Sequence, residues 1–278
     1  MKKLCIFHGS CADGFTSAWV VRKYYGEDHV EFFAGVYGNP PPDVTDREVI
    51  LVDFSYKRDV MLRIIDKAKS VLILDHHKTA QEDLTGLERA NVKVVFDMNR
   101  SGARITWDHY FKGFTPPKLL EHVEDRDLWR FNLAHTREIS ASIFSYEYTF
   151  ENWDMLMYGH DIEDLVIEGK AIERKHFKDI KELLNVAYQT MVLGGIEVKC
   201  ANLPYTMSSD AGHILMENGE PFGACYYDTP THKVFSLRSH DNGPDVSEIA
   251  KMYGGGGHRN AAGCRLTHEQ CDDIMVKL

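Results

Sequence analysis

The stretch Val71-Leu72-Ile73-Leu74-Asp75-His76-His77 decides the fold class of this 278-residue chain. Its apolar first half predicts a short buried strand, which runs directly into one acid and two imidazoles. In open α/β sheets the carboxyl ends of the strands form the edge where ligands bind. The sequence therefore predicts ligand-binding side chains at the end of this strand.

Two more predicted strands end in the same way. The apolar run 4–7 leads into His8 and then Asp13, and the run 49–52 leads into Asp53. Each of these polar residues taken alone could simply cap a helix or face solvent. Three strands that all end in candidate ligands favour a common site at one edge of the sheet.

The order of the predicted elements gives an α/β protein of two domains. Strands alternate with helical patterns in the first part, as in βα units of a parallel sheet. Helices are expected at 14–25, 57–68, 103–111, from 116 onward and within 139–158, with a further strand at 92–96. We expect a catalytic domain over 1–160, a connecting helix over 161–194 that ends at Gly194-Gly195, and a smaller α+β domain over 195–278. In the last of these, strands are expected near 196–200, 222–228 and 233–238, and a helix at 245–252.

Composition excludes several classes of protein. Apolar residues make up 44% and charged residues 27% of the chain, and no apolar run is long enough for a membrane span. The amino terminus enters a strand at once, so we expect no signal peptide. Six cysteines without a CxxC pair argue against a disulfide or structural zinc framework and favour the cytoplasm. The net charge of −10 favours a small phosphorylated ligand over a long nucleic acid.

The strand-end residues predict a divalent metal site. Carboxylates bind hard cations, and Mn²⁺ accepts imidazole more readily than Mg²⁺ does. The candidate ligands from strand ends and following loops are His8, Asp13, Asp53, Asp75, His76 and the acid pair Asp125 and Asp127. Two ions that share a bridging carboxylate could clamp a phosphate and activate water at neutral pH.

A second signal is the glycine-rich run 254–263. Glycines let the backbone approach an anion closely, and the small residues after Asn260 predict a helix start whose amides attract negative charge. A polyglycine run by itself is also typical of a flexible loop. Arg238 and Ser239, at the end of a predicted strand, could bind the same anion, or Arg238 could be an ordinary surface residue. Arg104 lies in a segment that either lines the site or starts a helix.

These motifs resemble those of the DHH phosphoesterase superfamily. The match rests on Asp75-His76-His77, Asp13, Asp53 and the 124–127 region, and the run 254–263 resembles the hallmark of the DHHA1 domain. The resemblance implies a parallel-sheet DHH domain, a smaller DHHA1 domain and an active site in the cleft between them. It also implies a two-Mn²⁺ centre that hydrolyses phosphodiester or phosphomonoester bonds. The family includes nano-RNases, single-strand exonucleases and cyclic-dinucleotide phosphodiesterases.

The resemblance also implies roles for single residues. Asp53 matches the bridging carboxylate, and His76 matches a metal ligand. His77, with Asp75 beside it, matches the residue that faces the scissile phosphate. Asp125 is the better match for the fourth-motif ligand, because it stands four residues before the run Trp129-Arg130-Phe131. Asp127 is the alternative. The implied substrate-binding residues are Arg238, Ser239, Gly255, Gly256, Gly257, His258, Arg259 and Asn260.

The first motif departs from the family pattern. The family has a histidine followed by two aspartates one residue apart, whereas His8 to Asp13 is one residue shorter and has Cys11 in place of the first aspartate. Cys11 either becomes a soft ligand or leaves one metal site weak. Because the shorter loop shifts its reach, we expect Cys11 to lie near the metals without being a strong ligand.

These observations predict a hydrolase that cleaves short oligonucleotides or small nucleotides with metal-activated water. The expected cofactor is Mn²⁺, as one or two ions, with Mg²⁺ or another divalent cation as alternatives. The expected partner is a short nucleic acid or nucleotide and not a membrane, and a homodimer is left open. Two other functions stay open: a single-strand exonuclease of the same superfamily, and a nucleotide-binding sensor whose catalysis the change at Cys11 has impaired.

Overall fold

The computed structural model describes residues 2–9, 11–87 and 89–274. The chain divides into two compact units, 1–173 and 174–278, each with its own core. None of the helices in the described ranges is long and apolar enough to cross a membrane.

The described residues of the first unit form a five-stranded parallel sheet with the order β2-β1-β3-β4-β5. The strands are β1 (Lys3–His8), β2 (Val30–Gly35), β3 (Glu48–Val52), β4 (Ser70–Asp75) and β5 (Val92–Phe96). The predicted parallel α/β sheet is confirmed, and β2 is a strand that the sequence pattern did not reveal.

Helices connect these strands and continue after the sheet. They are α1 (Ala12–Tyr25), α2 (Arg58–Lys67), α3 (Lys78–Asp83), α4 (Gly102–Tyr110), α5 (Lys118–Asp127), α6 (Thr136–Ile143), α7 (Phe150–Tyr158) and α8 (Ile162–Leu184). The helix predicted after Pro116-Pro117 is α5, and Pro117 is its N-cap.

Burial on both faces of the sheet explains the uninterrupted apolar strands. Successive residues of a strand point to opposite faces. Cys5 and Phe7 of β1 belong to one apolar cluster, while Leu4 and Ile6 belong to another. A strand that is covered on both faces has no polar positions to alternate with, which is the pattern of a parallel sheet.

The predicted connecting helix ends earlier than expected. Helix α8 stops at Leu184, and residues 188–193 form strand β6 (Tyr188–Leu193), which pairs with β7 (Ile196–Asn202). Gly194 and Gly195 have φ angles of +59° and +80°, as a two-residue hairpin turn requires. The glycine pair that we interpreted as a helix stop is therefore the turn of a β-hairpin.

The described residues of the second unit form a six-stranded mixed sheet with the order β10-β11-β9-β8-β7-β6. Its remaining strands are β8 (Gly223–Asp228), β9 (His232–Arg238), β10 (Gly256–His258) and β11 (Ala261–Thr267), and its helices are α9 (Ser208–Glu217), α10 (Val246–Met252) and α11 (His268–Asp272). The α+β character expected for this part of the chain is confirmed.

The glycine-rich run does not lead into a helix, and that prediction is wrong. Residues 256–258 and 261–267 are the antiparallel strands β10 and β11, and helix α10 precedes them. The glycines are needed for close packing in this hairpin. A Cβ at Gly255 would lie 2.1 Å from the carbonyl oxygen of Gly263, and one at Gly257 would lie 2.6 Å from that of Ala261.

A glycine contact also sets the distance between α9 and β8. A Cβ on Gly223 would lie 2.0 Å from the carbonyl oxygen of Gly212. We expect Gly223→Ala to lower the free energy of unfolding by about 1–3 kcal/mol, because the helix must move away from the strand. Urea unfolding measures this change. Gln189→Ala, at an exposed position of β6, is the control and should stay within about 0.5 kcal/mol of the parent. Equal stability of Gly223→Ala and the parent would contradict the close contact.

Candidate active site

Three adjacent strands bring the candidate site together. In the sheet order, β1, β3 and β4 are neighbours, and their carboxyl ends lie at one edge. His8 ends β1, Asp53 follows β3, and Asp75 ends β4. The parallel pairing therefore places side chains that are distant in sequence next to one another.

Asp53 is shared by several groups of potential metal ligands. Within each group, one ligand atom per residue lies within 4.8 Å of the others. The groups are His8 with Cys11 and Asp53, Asp13 with Asp53 and His76, and Asp53 with Asp75 and His77. A carboxylate with two oxygens that belongs to neighbouring groups has the arrangement of a bridging ligand.

The backbone of Asp53 is held in an unusual conformation. Its φ angle is +52°, a region that non-glycine residues rarely adopt. Its N–H donates to the carbonyl oxygen of Leu74 at 2.9 Å, which ties the residue to β4. A Cβ on Gly102 would lie 2.5 Å from the Cβ of Asp53, so the start of α4 packs directly against it. Backbone strain of this kind is typical of functional residues.

His76 contacts acids from three parts of the first unit. Its Nε2 lies 3.1 Å from Oδ1 of Asp53, 3.4 Å from Oδ2 of Asp127 and 4.0 Å from Oδ2 of Asp13. Burial by itself lowers the pKa of His76, but the charge of Asp127 and the contact with Asp53 outweigh it and raise that pKa to about 10. In the absence of a cation, His76 is therefore the positive charge that compensates these acids.

Asp75 holds His77 in one orientation. Its Oδ1 accepts hydrogen bonds from the Nδ1 and the backbone N–H of His77, at 2.7 and 3.2 Å, and its Oδ2 accepts one from Ser55 Oγ at 2.7 Å. Burial raises the pKa of Asp75, yet the charge and hydrogen bond of His77 bring it to about 2. Burial lowers the pKa of His77, but the charge of Asp75 and the hydrogen bond to it outweigh this effect and raise that pKa. The imidazole therefore donates from Nδ1 and presents Nε2 away from Asp75.

The carboxylate of Asp13 is positioned by α4. Asp13 is 1% exposed, and its Oδ1 accepts a hydrogen bond from Ala103 N at 3.1 Å. Burial, together with the charges of Asp127 and Asp53, raises the pKa of Asp13 well above its usual range. Burial also raises the pKa of Asp127, although the nearby His76 opposes this. Acids held this close favour a cation among them.

The structure brings Asp127, and not Asp125, to this group. The carboxylate of Asp125 accepts hydrogen bonds from Asn132 N, Leu133 N and Thr136 Oγ1, at 2.9, 3.1 and 2.6 Å. It thereby fixes the turn between α5 and α6. A side chain two positions further along a helix points about 200° away from the first one, so Asp127 faces His76 whereas Asp125 does not. The preference for Asp125 as the fourth-motif ligand is corrected by this geometry, and Asp127 takes its place as the candidate.

Buried atoms without hydrogen bonds show that the group fits a cation. In the described part of the chain, the buried atoms of this group that lack a hydrogen-bond partner include His8 Nδ1, Asp13 Oδ2, Asp53 Oδ2 and Asp127 Oδ2. Each unsatisfied buried polar atom destabilises the fold. All of these atoms can bind a metal, so divalent cations held by the groups around Asp53 would satisfy them.

Cys11 lies within reach of the same atoms. Its Sγ belongs to the group with His8 and Asp53. The chain turns into α1 directly at Cys11, which leaves the thiol close to the other candidate ligands, as expected. The expectation that Cys11 is not a strong ligand stays a prediction. Burial and the charges of Asp53 and Asp127 raise the pKa of its thiol well above the usual range.

Arg104 is engaged with acids outside the group. Its Nε donates to Asp108 at 3.1 Å, and its Nη1 lies 3.8 Å from Glu124. Ser101 caps α4 by accepting from the N–H of Arg104. Of the two interpretations of this segment, the helix start is confirmed. Gly102 and Ala103 are the residues that contact the acids of the site.

In the second unit, Arg238 is held by hydroxyl groups. Its Nη1 donates to Ser236 Oγ at 2.9 Å and its Nη2 to Ser209 Oγ at 2.7 Å. Ser239 is 2% exposed, and its N–H donates to the carbonyl oxygen of Asn260. The Nη1 of Arg238 also donates to the carbonyl oxygen of Leu237 at 2.8 Å.

The residues after the glycine run hold a neighbouring loop. Arg259 donates to the carbonyl oxygens of Asp241 and Gly243, each at 2.9 Å, and Asn260 Nδ2 donates to Asp241 Oδ1 at 2.5 Å. The remaining predicted anion-binding residues lie in or beside the partly buried strand β10: Gly255, Gly256, Gly257 and His258. Their contribution to substrate binding remains a prediction.

Sequence reasoning missed two side chains of the site. Tyr37, which follows β2, lies with its ring centroid 5.3 Å from that of His8 and 6.1 Å from that of His77. Ser55, two residues after Asp53, orients Asp75. A strand prediction for 30–35 would have found Tyr37, because it would have placed the next residues at the same edge of the sheet.

Comparison with known proteins identifies a domain family and two similar sequences. Residues 204–278 match the DHHA1 domain family. An uncharacterised protein of Acanthamoeba polyphaga mimivirus, R106, is 31% identical over 283 residues, which is 93% of this chain and 66% of R106. The oligoribonuclease NrnB of Bacillus subtilis is 28% identical over 217 residues, which is 72% of this chain and 53% of NrnB. The chain thus spans only part of the length of these relatives.

Solved structures share the fold across nearly the whole chain. A DHH domain from a member of the s1p family of ribosomal proteins superposes with a TM-score of 0.63 at 14% identity, covering 98% of this chain and 84% of the other. The pGpG-specific phosphodiesterase PggH of Vibrio cholerae gives 0.51 at 18%, with 98% and 96% covered. RecJ of Thermus thermophilus, solved in complex with Mn²⁺, gives 0.53 at 13%, with 98% and 50% covered. At these identities the similarity is one of fold.

Substitutions of the two acids of α5 should have opposite effects on stability and metal binding. Asp125→Asn should lower the free energy of unfolding by about 1–3 kcal/mol, because an amide cannot accept all the hydrogen bonds that this carboxylate receives. Asp127→Asn should leave the stability of metal-free protein equal or higher, because it removes a buried charge, and should weaken Mn²⁺ binding. Urea unfolding with a chelator and calorimetric titration with Mn²⁺ measure the two effects. Unchanged Mn²⁺ affinity in Asp127→Asn, with a loss in Asp125→Asn, would contradict this assignment.

Proposed function

We propose that this protein is a metal-dependent phosphohydrolase that acts on short oligonucleotides or small nucleotides. The proposal starts from its similarity in fold to a DHH domain and from its match to the DHHA1 domain family. The observation that carries the proposal is the buried carboxylate of Asp53, shared by two adjoining groups of ligand atoms. Such an arrangement suits two neighbouring cations with one bridging ligand. Paired cations occur in phosphatases and nucleases, where they stabilise the attacking and leaving oxygens of the phosphate.

The chain provides ligands for each of two ions. His8, Cys11 and Asp53 would hold one, and Asp13, Asp53 and His76 the other, with Asp127 beside His76. When bound, divalent cations polarise phosphoryl oxygens and lower the pKa of water. Mn²⁺ remains the proposed cofactor for the group formed mainly by carboxylates, since such ligands suit Mn²⁺ and Mg²⁺.

His77 is proposed to bind the phosphoryl oxygens of the substrate. Asp75 accepts from Nδ1, so a substrate oxygen would be bound by the Nε2 of the ring. Although burial opposes it, Asp75 raises the pKa of His77 and so favours the protonated ring, which can donate to an anion. Ser55 and the backbone N–H groups of His76 and His77 hold Asp75 in place, so the donor is preorganised.

The second unit is proposed to bind a phosphate of the substrate away from the scissile bond. Arg238 supplies the cationic donor, with Ser239 next to it in the chain. His258 and the adjoining glycines of β10 are proposed to contribute to the same function. Anchoring of this kind supplies binding energy that orients the substrate.

Small substrates are favoured over long strands by charge. The net charge of −10 disfavours a long phosphate track, which needs a broad basic face. An oligoribonuclease among the relatives and a pGpG-specific phosphodiesterase among the structures of similar fold support this choice.

The cysteines at 5, 11, 200, 225, 264 and 271 are all free thiols, which fits the reducing cytoplasm that we propose as the location. Neither the fold nor the relatives support the homodimer, and we propose no oligomeric state.

Hydrolysis of a linear dinucleotide tests the proposal. With Mn²⁺, the protein should convert pGpG into mononucleotides, and Asp53→Asn should reduce kcat by on the order of a thousandfold, because both groups lose a charged ligand. Gln189→Ala is the control and should keep full activity. Chromatography of the products measures the rate, and a long labelled single strand reports on processive degradation.

The outcomes separate the competing functions. Faster degradation of the long strand than of the dinucleotide would identify an exonuclease and contradict the proposed substrate class. Tight dinucleotide binding with no product under any divalent cation would identify a binding protein and contradict the proposed reaction.

Arg238 should affect binding more than chemistry. We expect Arg238→Ala to raise KM at least about tenfold, because a charge-assisted pair is lost, with a smaller loss in kcat than in Asp53→Asn. Arg265→Ala, which removes the same charge from the exposed face of β11, is the matched control. Steady-state kinetics with the dinucleotide measures both constants. A collapse of kcat at unchanged KM would contradict the anchoring role of Arg238.

A further inference from the structure

Cys11 has a side chain that its local structure does not explain. It occupies the N-cap position of α1, where Ser, Thr, Asp and Asn are usual because their oxygens accept backbone hydrogen bonds. The sulfur of Cys11 does not make a standard cap, although the backbone N–H of Gly14 interacts with the thiol and lowers its pKa. Cys11 is also partly exposed, unlike the other cysteines of the chain, which are buried. Sulfur is a weak hydrogen-bond acceptor, so capping is a poor reason for a cysteine at this position, and core packing does not explain it either.

Two ligand atoms face the thiol. His8 Nδ1 and Asp53 Oδ2 lie 3.4 Å apart, and both are buried without a hydrogen-bond partner in the described part of the chain. Asp53 is only 1% exposed, so water does not satisfy its carboxylate. Together with Cys11 Sγ these residues place one ligand atom each within 4.8 Å of one another. Thiolate, imidazole and carboxylate are each ligands that bind Zn²⁺ in proteins.

The adjoining group has a different chemistry. Asp13, Asp53 and His76 offer two carboxylates and one imidazole, and Asp127 adds a further carboxylate beside His76. Oxygen ligands favour hard cations such as Mn²⁺ and Mg²⁺, whereas thiolate favours softer ions. Mn²⁺ also has the weakest affinity of the first-row divalent ions for a given site of nitrogen and sulfur ligands. The two groups that share Asp53 therefore differ in the ion that they select.

We propose that His8, Cys11 and Asp53 form a thiolate site for a borderline ion of the Zn²⁺, Co²⁺ and Fe²⁺ class, next to an oxygen-rich site for Mn²⁺ or Mg²⁺. The proposal rests on the metal centre of the proposed function and specifies its composition: two unlike ions joined by Asp53. Cys11 is then a selectivity determinant of the centre and not a defect in it.

Cobalt is the probe that tests the thiolate. Metal-free full-length protein is titrated with Co²⁺, and absorption is followed in the near ultraviolet, where thiolate-to-cobalt charge transfer gives an intense band. We expect the band to saturate at one Co²⁺ per chain. Cys11→Ser should abolish it, while Cys264→Ser, a cysteine of β11 in the other unit, should retain it. Asp13→Asn, which alters only the oxygen-rich group, should also retain it.

Competition for Zn²⁺ measures the contribution of the thiolate to affinity. Cys11→Ser should lose more than the about 10–100-fold that removal of an outer partner of a metal ligand costs. Cys11→Asp should lose the charge-transfer band but bind a second Mn²⁺, because it turns the site into an oxygen-rich one. Circular dichroism establishes that each variant is folded, and Cys11→Ala replaces Cys11→Ser if the latter is not.

The results that would overturn the proposal are distinct from those that bear on the reaction. A parent protein without a thiolate band, or a Cys11 variant with an undiminished band and Zn²⁺ affinity, would overturn it even if pGpG is hydrolysed. A band that depends on Cys11 would uphold the site even if no nucleotide is hydrolysed, and in that case only the proposed reaction would fail.

Discussion

The concentration of buried acids around Asp53 is the constraint on which the rest of this structure depends. Asp13, Asp53 and Asp75 are each at most 1% exposed, and Asp127 lies beside His76 with them. Removing carboxylates from water is costly unless charge and hydrogen bonds compensate. The imidazoles of His76 and His77 compensate part of this charge and lower the pKa of Asp53 and Asp75 against the effect of burial. Burial, together with the neighbouring carboxylates, raises the pKa values of Asp13 and Asp127, and a cation among these acids would counter both effects.

The fold maintains this cluster through backbone contacts as much as through side chains. The parallel register of β1, β3 and β4 places the ligand-bearing residues at one edge. A Cβ on Gly14 would lie 2.3 Å from the carbonyl oxygen of His8, and one on Gly102 would lie 2.9 Å from Oδ2 of Asp13. These glycines let α1 and α4 approach so closely that Asp13 accepts a hydrogen bond from the first turn of α4. A destabilising group of acids persists because the surrounding backbone leaves it no other position.

The sequence predicted the sheet and most of the site because both follow from strong local patterns. Apolar runs that end in acids and imidazoles identify buried strands and their ligand edge, and four of the five described strands of the first sheet were found from their apolar runs. The run 30–35 escaped because half of its positions are polar or small, as suits a strand at the end of the sheet order. Gly194-Gly195 was misread because a helix stop and a hairpin turn demand the same positive φ angles.

The errors within the site have a common physical cause. Asp125 and Asp127 are the same type of residue two positions apart. Only the rotation of α5 decides that Asp125 fixes a turn and that Asp127 faces His76. The glycine run was expected to lead into a helix, whereas the close contacts of Gly255 and Gly257 belong to a tight hairpin. Sequence patterns identify which residues can do chemistry, while orientation comes from packing between distant segments.

The most direct test of the account is the position of bound ions relative to Asp53. Crystals of the protein soaked with Mn²⁺ and measured at the manganese absorption edge locate each ion by its anomalous scattering. The account predicts an ion bound by a carboxylate oxygen of Asp53, with Asp13 and His76 among its other ligands and Asp125 outside its coordination sphere. Manganese at another place in the first unit, with Asp53 not coordinated, would contradict the central role of this carboxylate.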